Sequence, residues 1–148
     1  MADTLRYAVI MLLSGIGIPV LAALNSQLGA RLGAPVAASV VLFLVALIVC
    51  VIALVVSGQG GALATLPAQP RYLLLGGTLV AFYVLAVTFV APRFGVGNAV
   101  FCVLVGQMIA ATTIDHFGLF GAVHHPLSTL RALGLAAMTV GLVLVQKG

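Results

Sequence analysis

The chain has 148 residues, 64% of them hydrophobic and 5% charged, with no tryptophan and a formal charge of +4. So small a polar fraction cannot cover the surface of a water-soluble domain of this length, which excludes that class. The six basic residues, Arg6, Arg31, Arg71, Arg93, Arg131 and Lys147, stand singly between apolar runs, a pattern that argues against nucleic-acid binding and suits anchors at helix ends.

Several apolar runs approach or exceed the roughly 18–20 residues that a helix needs to cross about 30 Å of hydrocarbon. They are continuously apolar rather than alternating, so helices are favoured over a transmembrane barrel. The sequence predicts an all-α integral membrane protein, a single five-helix domain over residues 1–148, with spans at about 8–28, 35–56, 71–91, 96–114 and 127–145. Its first partner is the lipid bilayer.

The start of the chain is polar, then apolar, in the manner of a signal peptide, but no small-x-small cleavage site follows and it reads as helix 1. Gly15, Gly17 and Pro19 lie inside this span, where a proline removes a backbone hydrogen bond and favours a kink. Asn25-Ser26-Gln27 then close the helix before Arg31 and Gly33-Ala34-Pro35. Asn25 and Gln27 read either as a water-facing helix end or as the polar lining of a cavity. Helix 2 sets Ser39, Phe43, Ala46, Cys50, Ala53 and Ser57 on one face, a small-residue face suited to helix packing. Residues 57–70 are a loop by their Gly and Pro content.

Helix 3 carries Tyr83 near its middle, either bonded to a neighbouring helix or touching a ligand. Pro92-Arg93-Phe94-Gly95 predicts a tight turn into an antiparallel helix 4. That span has Gly106-Gln107 near its centre and Asp115 near its end. An amide buried without a partner costs roughly 2–7 kcal/mol, so Gln107 is expected to face another helix or a wet cavity. Asp115, the only acidic residue after Asp3, is either a functional carboxylate or a helix-end charge paired with a base such as Arg131. His116, His124 and His125 lack a recognised ligand spacing, so no metal or other cofactor is expected. Cys50 and Cys102 lie in apolar runs and read as packing residues. Helix 5 carries Gly134, Met138 and Gly141 as a further contact seam. No nucleophile and base stand at a credible spacing, so an enzyme is not expected.

Five spans put the two ends of the chain on opposite sides of the membrane. Arg6, Arg71 and Arg131 then oppose Arg31, Arg93 and Lys147, three against three. Orientation follows an excess of Lys and Arg on the cytoplasmic side, and none exists here. The expectation is dual topology, with inverted copies pairing to supply the two inverted repeats on which alternating access is commonly built.

The ordered set Asn25-Ser26-Gln27-Leu28-Gly29, Pro92-Arg93-Phe94-Gly95, Gly106-Gln107, Ile114-Asp115-His116-Phe117-Gly118 and Arg131-x-x-Gly134 resembles the YdcZ family, a five-helix branch of the drug/metabolite transporter superfamily. The resemblance covers nearly the whole chain. It implies one half-unit of such a transporter, in a prokaryotic inner membrane, exporting small molecules and related to the small multidrug resistance proteins. Those relatives carry a glutamate in their first helix that binds proton and cationic substrate in competition. This chain has no glutamate, which argues against that mechanism and for neutral or polar recognition. The expected function is a small secondary transporter, an exporter of small metabolites or amphiphiles working as an antiparallel homodimer. Its candidate substrate-binding residues are Gln107, Asn25, Tyr83, Asp115 and Gln27. A partner-binding membrane subunit and a lipid flippase are the alternatives.

Overall fold

Small residues decide where the first helices meet. In a computed structural model, which describes residues 2–147 with side chains from Thr4 onward, the chain divides into two compact units, Met1–Arg93 and Phe94–Gly148. The first unit holds α1 (Ala2–Leu32), α2 (Pro35–Val56) and α3 (Leu75–Phe94, whose last residue is the first of the second unit). Ala22, Asn25, Ser26 and Gly29 form the buried stripe of α1, Ala38 and Ser39 that of α2, and Val84, Val87, Thr88 and Ala91 that of α3. Each stripe follows the three-and-four spacing of one helix face. Lipid tails are as apolar as leucine, so membrane helices associate by close backbone approach and polar contacts, which small residues allow.

Gly29 is where that approach is tightest. A Cβ built there would lie 3.1 Å from Cα of Pro35 and 3.4 Å from the Thr88 methyl group. The contacts along α1 fix the directions of its neighbours. Residues near 29, 25 and 21 meet those near 35, 39 and 45 of α2, so α1 and α2 are antiparallel. Asn25 meets Thr88, and Ala30 and Gly33 line one hollow with Pro92 and Arg93, so α1 and α3 run parallel.

The second unit is a helical hairpin of α4 (Val96–Phe117) and α5 (Thr129–Lys147). Gly118 ends α4 in the left-handed conformation at φ 60°, and its N–H bonds to the carbonyl of Ile114. Ser128 starts α5, its Oγ accepting the N–H of Arg131, three residues on, as an N-cap does. Gln146 reaches back to the Asn98 carbonyl at 3.4 Å, so α4 and α5 are antiparallel. Among the described residues, five helices are long and apolar enough to cross a membrane, and no strand occurs. Their large side chains are turned outward: Leu12, Val56, Phe82 and Leu130 are all more than 60% exposed. That is the inverse of a soluble core and suits a lipid surround.

Several boundaries differ from expectation. Helix α1 runs to Leu32 rather than 28, so Asn25-Ser26-Gln27 lie inside it. It also continues unbroken through Pro19. Residues 57–70 are mostly one 3₁₀ stretch, Gln59–Ala68, and a second, Arg71–Leu74, follows before α3 starts at Leu75. The expected turn at 92–95 shrinks to one residue, Gly95 with φ 91°, because Pro92 is accepted within the last turn of α3. Helix α4 continues to Phe117, and α5 begins at Thr129. The small face of α2 is used only at its start: Ser39 is buried and Phe43 half-buried, whereas Ala46, Cys50, Ala53 and Ser57 are exposed. On α5, Gly134 and Met138 are exposed and Gly141 half-buried, and a Cβ at either glycine would meet nothing within 4 Å among the described residues of its unit.

Candidate functional site

In the first unit the polar groups of three apolar helices converge. Thr88 Oγ1 donates to the carbonyl of Val84 at 2.7 Å, and Ser39 Oγ to that of Pro35 at 3.1 Å. With their protons committed to their own helices, both hydroxyls present lone pairs to the interior. The Asn25 amide nitrogen donates to Thr88 Oγ1 at 2.6 Å and lies 3.5 Å from Ser39 Oγ. Asn25 is thus a buried tie between α1, α2 and α3, not a water-facing helix end. Apolar surroundings make such a bond hard to break, because no water replaces the lost partner.

Asn25 has a second face. It is the one polar side chain on a groove of about 400 Å³ between α1 and α2, otherwise walled by Leu21, Leu24, Leu28, Val41 and Val45. An apolar groove with one amide at its edge can take an aliphatic chain and fix a single polar substituent. Gln27 does not join it. Two positions along a helix turn a side chain about 200°, and Gln27 is exposed without a hydrogen bond among the described residues. Tyr83 is half-buried on α3, and its hydroxyl oxygen is buried without a partner. It lies five residues, about 7.5 Å of helix rise, before Thr88.

In the second unit Gln107 is the twelfth of the 22 residues of α4, at mid-length, exposed and without a hydrogen bond among the described residues. Asp115, eight residues on, behaves differently. Its carboxylate accepts from the Arg131 guanidinium at 2.5 Å, and its backbone carbonyl accepts the N–H of His125 at 2.9 Å. The adjoining His116 takes the N–H of Leu127 on Nδ1 at 3.0 Å. Asp115 and His116 therefore fasten the connection to α5 against the end of α4. With Asp115 and Arg131 each about one-third exposed, the ion pair contributes on the order of 1 kcal/mol. At the other end of the hairpin, Phe101, Cys102, Val105, Thr139, Leu142 and Gln146 line a hollow of about 250 Å³. Among the described residues no cluster of three His, Cys, Asp or Glu could hold a metal ion.

The structure thus brings Asn25 together with Thr88 and Ser39, and Asp115 with Arg131. It leaves Gln27 and Gln107 exposed and without a hydrogen bond among the described residues. Thr88 and Ser26 were not singled out by the sequence reading. The signal was present: Thr88 stands in register with Val84 and Ala91, so a hydroxyl falls on the face that meets another helix.

Five membrane-length apolar helices, with hydroxyls and an amide bonded together among the first three, define a polytopic helical membrane protein. Over residues 6–144 the chain matches the model of the family described as "Putative inner membrane exporter, YdcZ", and it belongs to that family. It is a multi-pass protein of the inner membrane, from a family of transport proteins and not of enzymes. No curated protein and no solved structure matches it.

Proposed function

We propose that the chain is a small secondary exporter of metabolites or amphiphiles that works as an antiparallel homodimer. One observation carries this reading. Gln107 stands at the midpoint of α4, exposed and without a hydrogen bond among the described residues of its unit. Left in lipid, its amide would cost about 2–7 kcal/mol, so its partner comes from outside its own hairpin, and a second copy of the chain supplies one. Two inverted copies bring their Gln107 side chains to one depth, at the midplane where alternating-access carriers hold substrate. The basic residues agree with insertion both ways, since each unit is balanced by itself. In the first, Arg6 and Arg71 stand at one end and Arg31 and Arg93 at the other. In the second, Arg131 opposes Lys147. The Asn25 groove supplies the apolar surface that an amphiphile needs, and Tyr83 a free phenol on the same unit. The tie to Arg131 makes Asp115 a gate at one membrane face rather than a proton exchanger at the centre.

Cross-linking separates the arrangements. On a Cys50→Ala/Cys102→Ala background, Gln107→Cys is expected to give a covalent dimer with a short membrane-permeant bis-methanethiosulfonate, whereas Lys147→Cys gives none. A parallel pair would bring both positions to equal depth, and cross-linking at Lys147→Cys alone would contradict the proposal.

A further inference from the structure

Among the buried serine and threonine hydroxyls of the first unit, one breaks the rule that the others follow. Ser14, Ser39, Thr88, Thr113 and Thr139 each donate to the carbonyl four residues back in their own helix. Ser26, in the interior of α1, does not. It is only 7% exposed, and its Oγ is buried with no partner. Ser26 lines a hollow of about 370 Å³ at the end of the unit where α1 stops, α2 starts and α3 stops. Gly29 and Gly33 leave its floor without side chains, Thr88 and Pro35 bound it, and Arg93 stands on its wall.

The charge of this end is positive. Arg93 is held over its own helix, its Nη1 donating to the Phe89 carbonyl at 2.6 Å and its guanidinium carbon 4.1 Å from the Phe89 ring centroid. A guanidinium has five N–H donors, so most remain to be used. Arg31 lies in the last turn of α1. Helix α2 begins at Pro35 with no side chain capping its N-terminus, and the partial positive charge there is unanswered. Against these stand the partial negative charges of two helix C-termini, leaving about +1.5 elementary charges at this end. None of the lining residues is acidic. A buried donor with no acceptor, in a positive hollow that Arg93 also lines and glycine floors, calls for an oxygen-rich anion.

The geometry points to a binding site for a compact oxyanion, the carboxylate or phosphate group of a free metabolite or of a lipid headgroup, held by the Ser26 hydroxyl and the Arg93 guanidinium. Arg93 binds it as a charged fork, and Ser26 donates the hydrogen bond that its own helix does not receive. The site is independent of whether the chain transports anything.

The test uses the purified full chain in phosphatidylcholine nanodiscs, with two probes: inorganic phosphate, read as a shift in thermal midpoint against chloride at equal ionic strength, and phosphatidylglycerol, read as retained lipid by native mass spectrometry. Saturable binding of at least one probe is expected, weakened about tenfold by Arg93→Gln and severalfold by Ser26→Ala. Phosphatidylglycerol binding alone identifies a lipid headgroup, and phosphate binding a free anion. Ser26→Ala removes an unpartnered donor, so the anion-free protein should unfold at the same temperature or higher, which separates lost binding from lost fold. Failure of both probes to saturate, indifference of binding to both substitutions, or destabilisation by Ser26→Ala without anion would each overturn the assignment.

Discussion

Replacing Gly29 with leucine is expected to abolish most of the folded protein. The site has no room: even a methyl group would stand 3.1 Å from a backbone atom of Pro35, which cannot swing aside as a flexible side chain would. A leucine must push α1 away from α2 and from Thr88, breaking the Asn25–Thr88 bond one turn earlier. Overpacking alone costs about 3 kcal/mol, and the separated polar groups add about 1–3 kcal/mol more. Alanine at the same position should fall between, at roughly 1 kcal/mol. Gly15 is the control. It lies on the same helix, but a Cβ there meets nothing within 4 Å, and Gly15→Ala should change stability by less than about 1 kcal/mol. Temperature-ramped size-exclusion chromatography in detergent compares the three. Equal midpoints for Gly29→Leu and Gly15→Ala would mean that α1 and α2 do not approach as described.

The second large effect falls on transport. Gln107→Ala is expected to lower export of an identified substrate at least tenfold, while expression and thermal midpoint stay close to those of the unsubstituted chain. The two readouts separate because Gln107 is exposed on its hairpin and makes no hydrogen bond there among the described residues. A tenfold loss corresponds to about 1.4 kcal/mol, the scale of one hydrogen bond to a bound group. Gln107→Leu should be as inactive as Ala, because leucine restores an apolar surface but no donor. Full export by both variants would remove Gln107 from the site and favour a chain that only binds a partner subunit.

The spans were legible because continuous apolar runs at this composition have few other uses, and the mid-length position of Gln107 could be counted off directly. The ends of helices were less so. Asn25-Ser26-Gln27 looks like a helix terminus, since three polar residues precede an arginine and a Gly-Ala-Pro sequence. In the structure two of the three turn inward, where Ser39 and Thr88 lie. That inversion depends on which face of α1 meets two other helices, a tertiary fact that local polarity does not encode. Pro92 misled for a related reason: it stands two residues before the end of α3, so it withholds a donor only from the Thr88 carbonyl and leaves the helix little length to break. The Asp115–Arg131 pair was one of the readings open from the sequence, but the connection folded back onto His116 was not. Residues 118–128 show no periodicity, and their course is set by the left-handed Gly118 and by single backbone bonds.

The central claim is that the same chain inserts both ways, and labelling tests it most directly. Gln59→Cys, in the exposed 3₁₀ stretch after α2, and Lys147→Cys, at the end of α5, are each made on the Cys50→Ala/Cys102→Ala background and treated from outside whole cells with a membrane-impermeant maleimide. With three basic residues expected at each face, about half of the molecules should label at each position. Labelling of one position in nearly all molecules and of the other in almost none would show a single fixed orientation and contradict the antiparallel dimer.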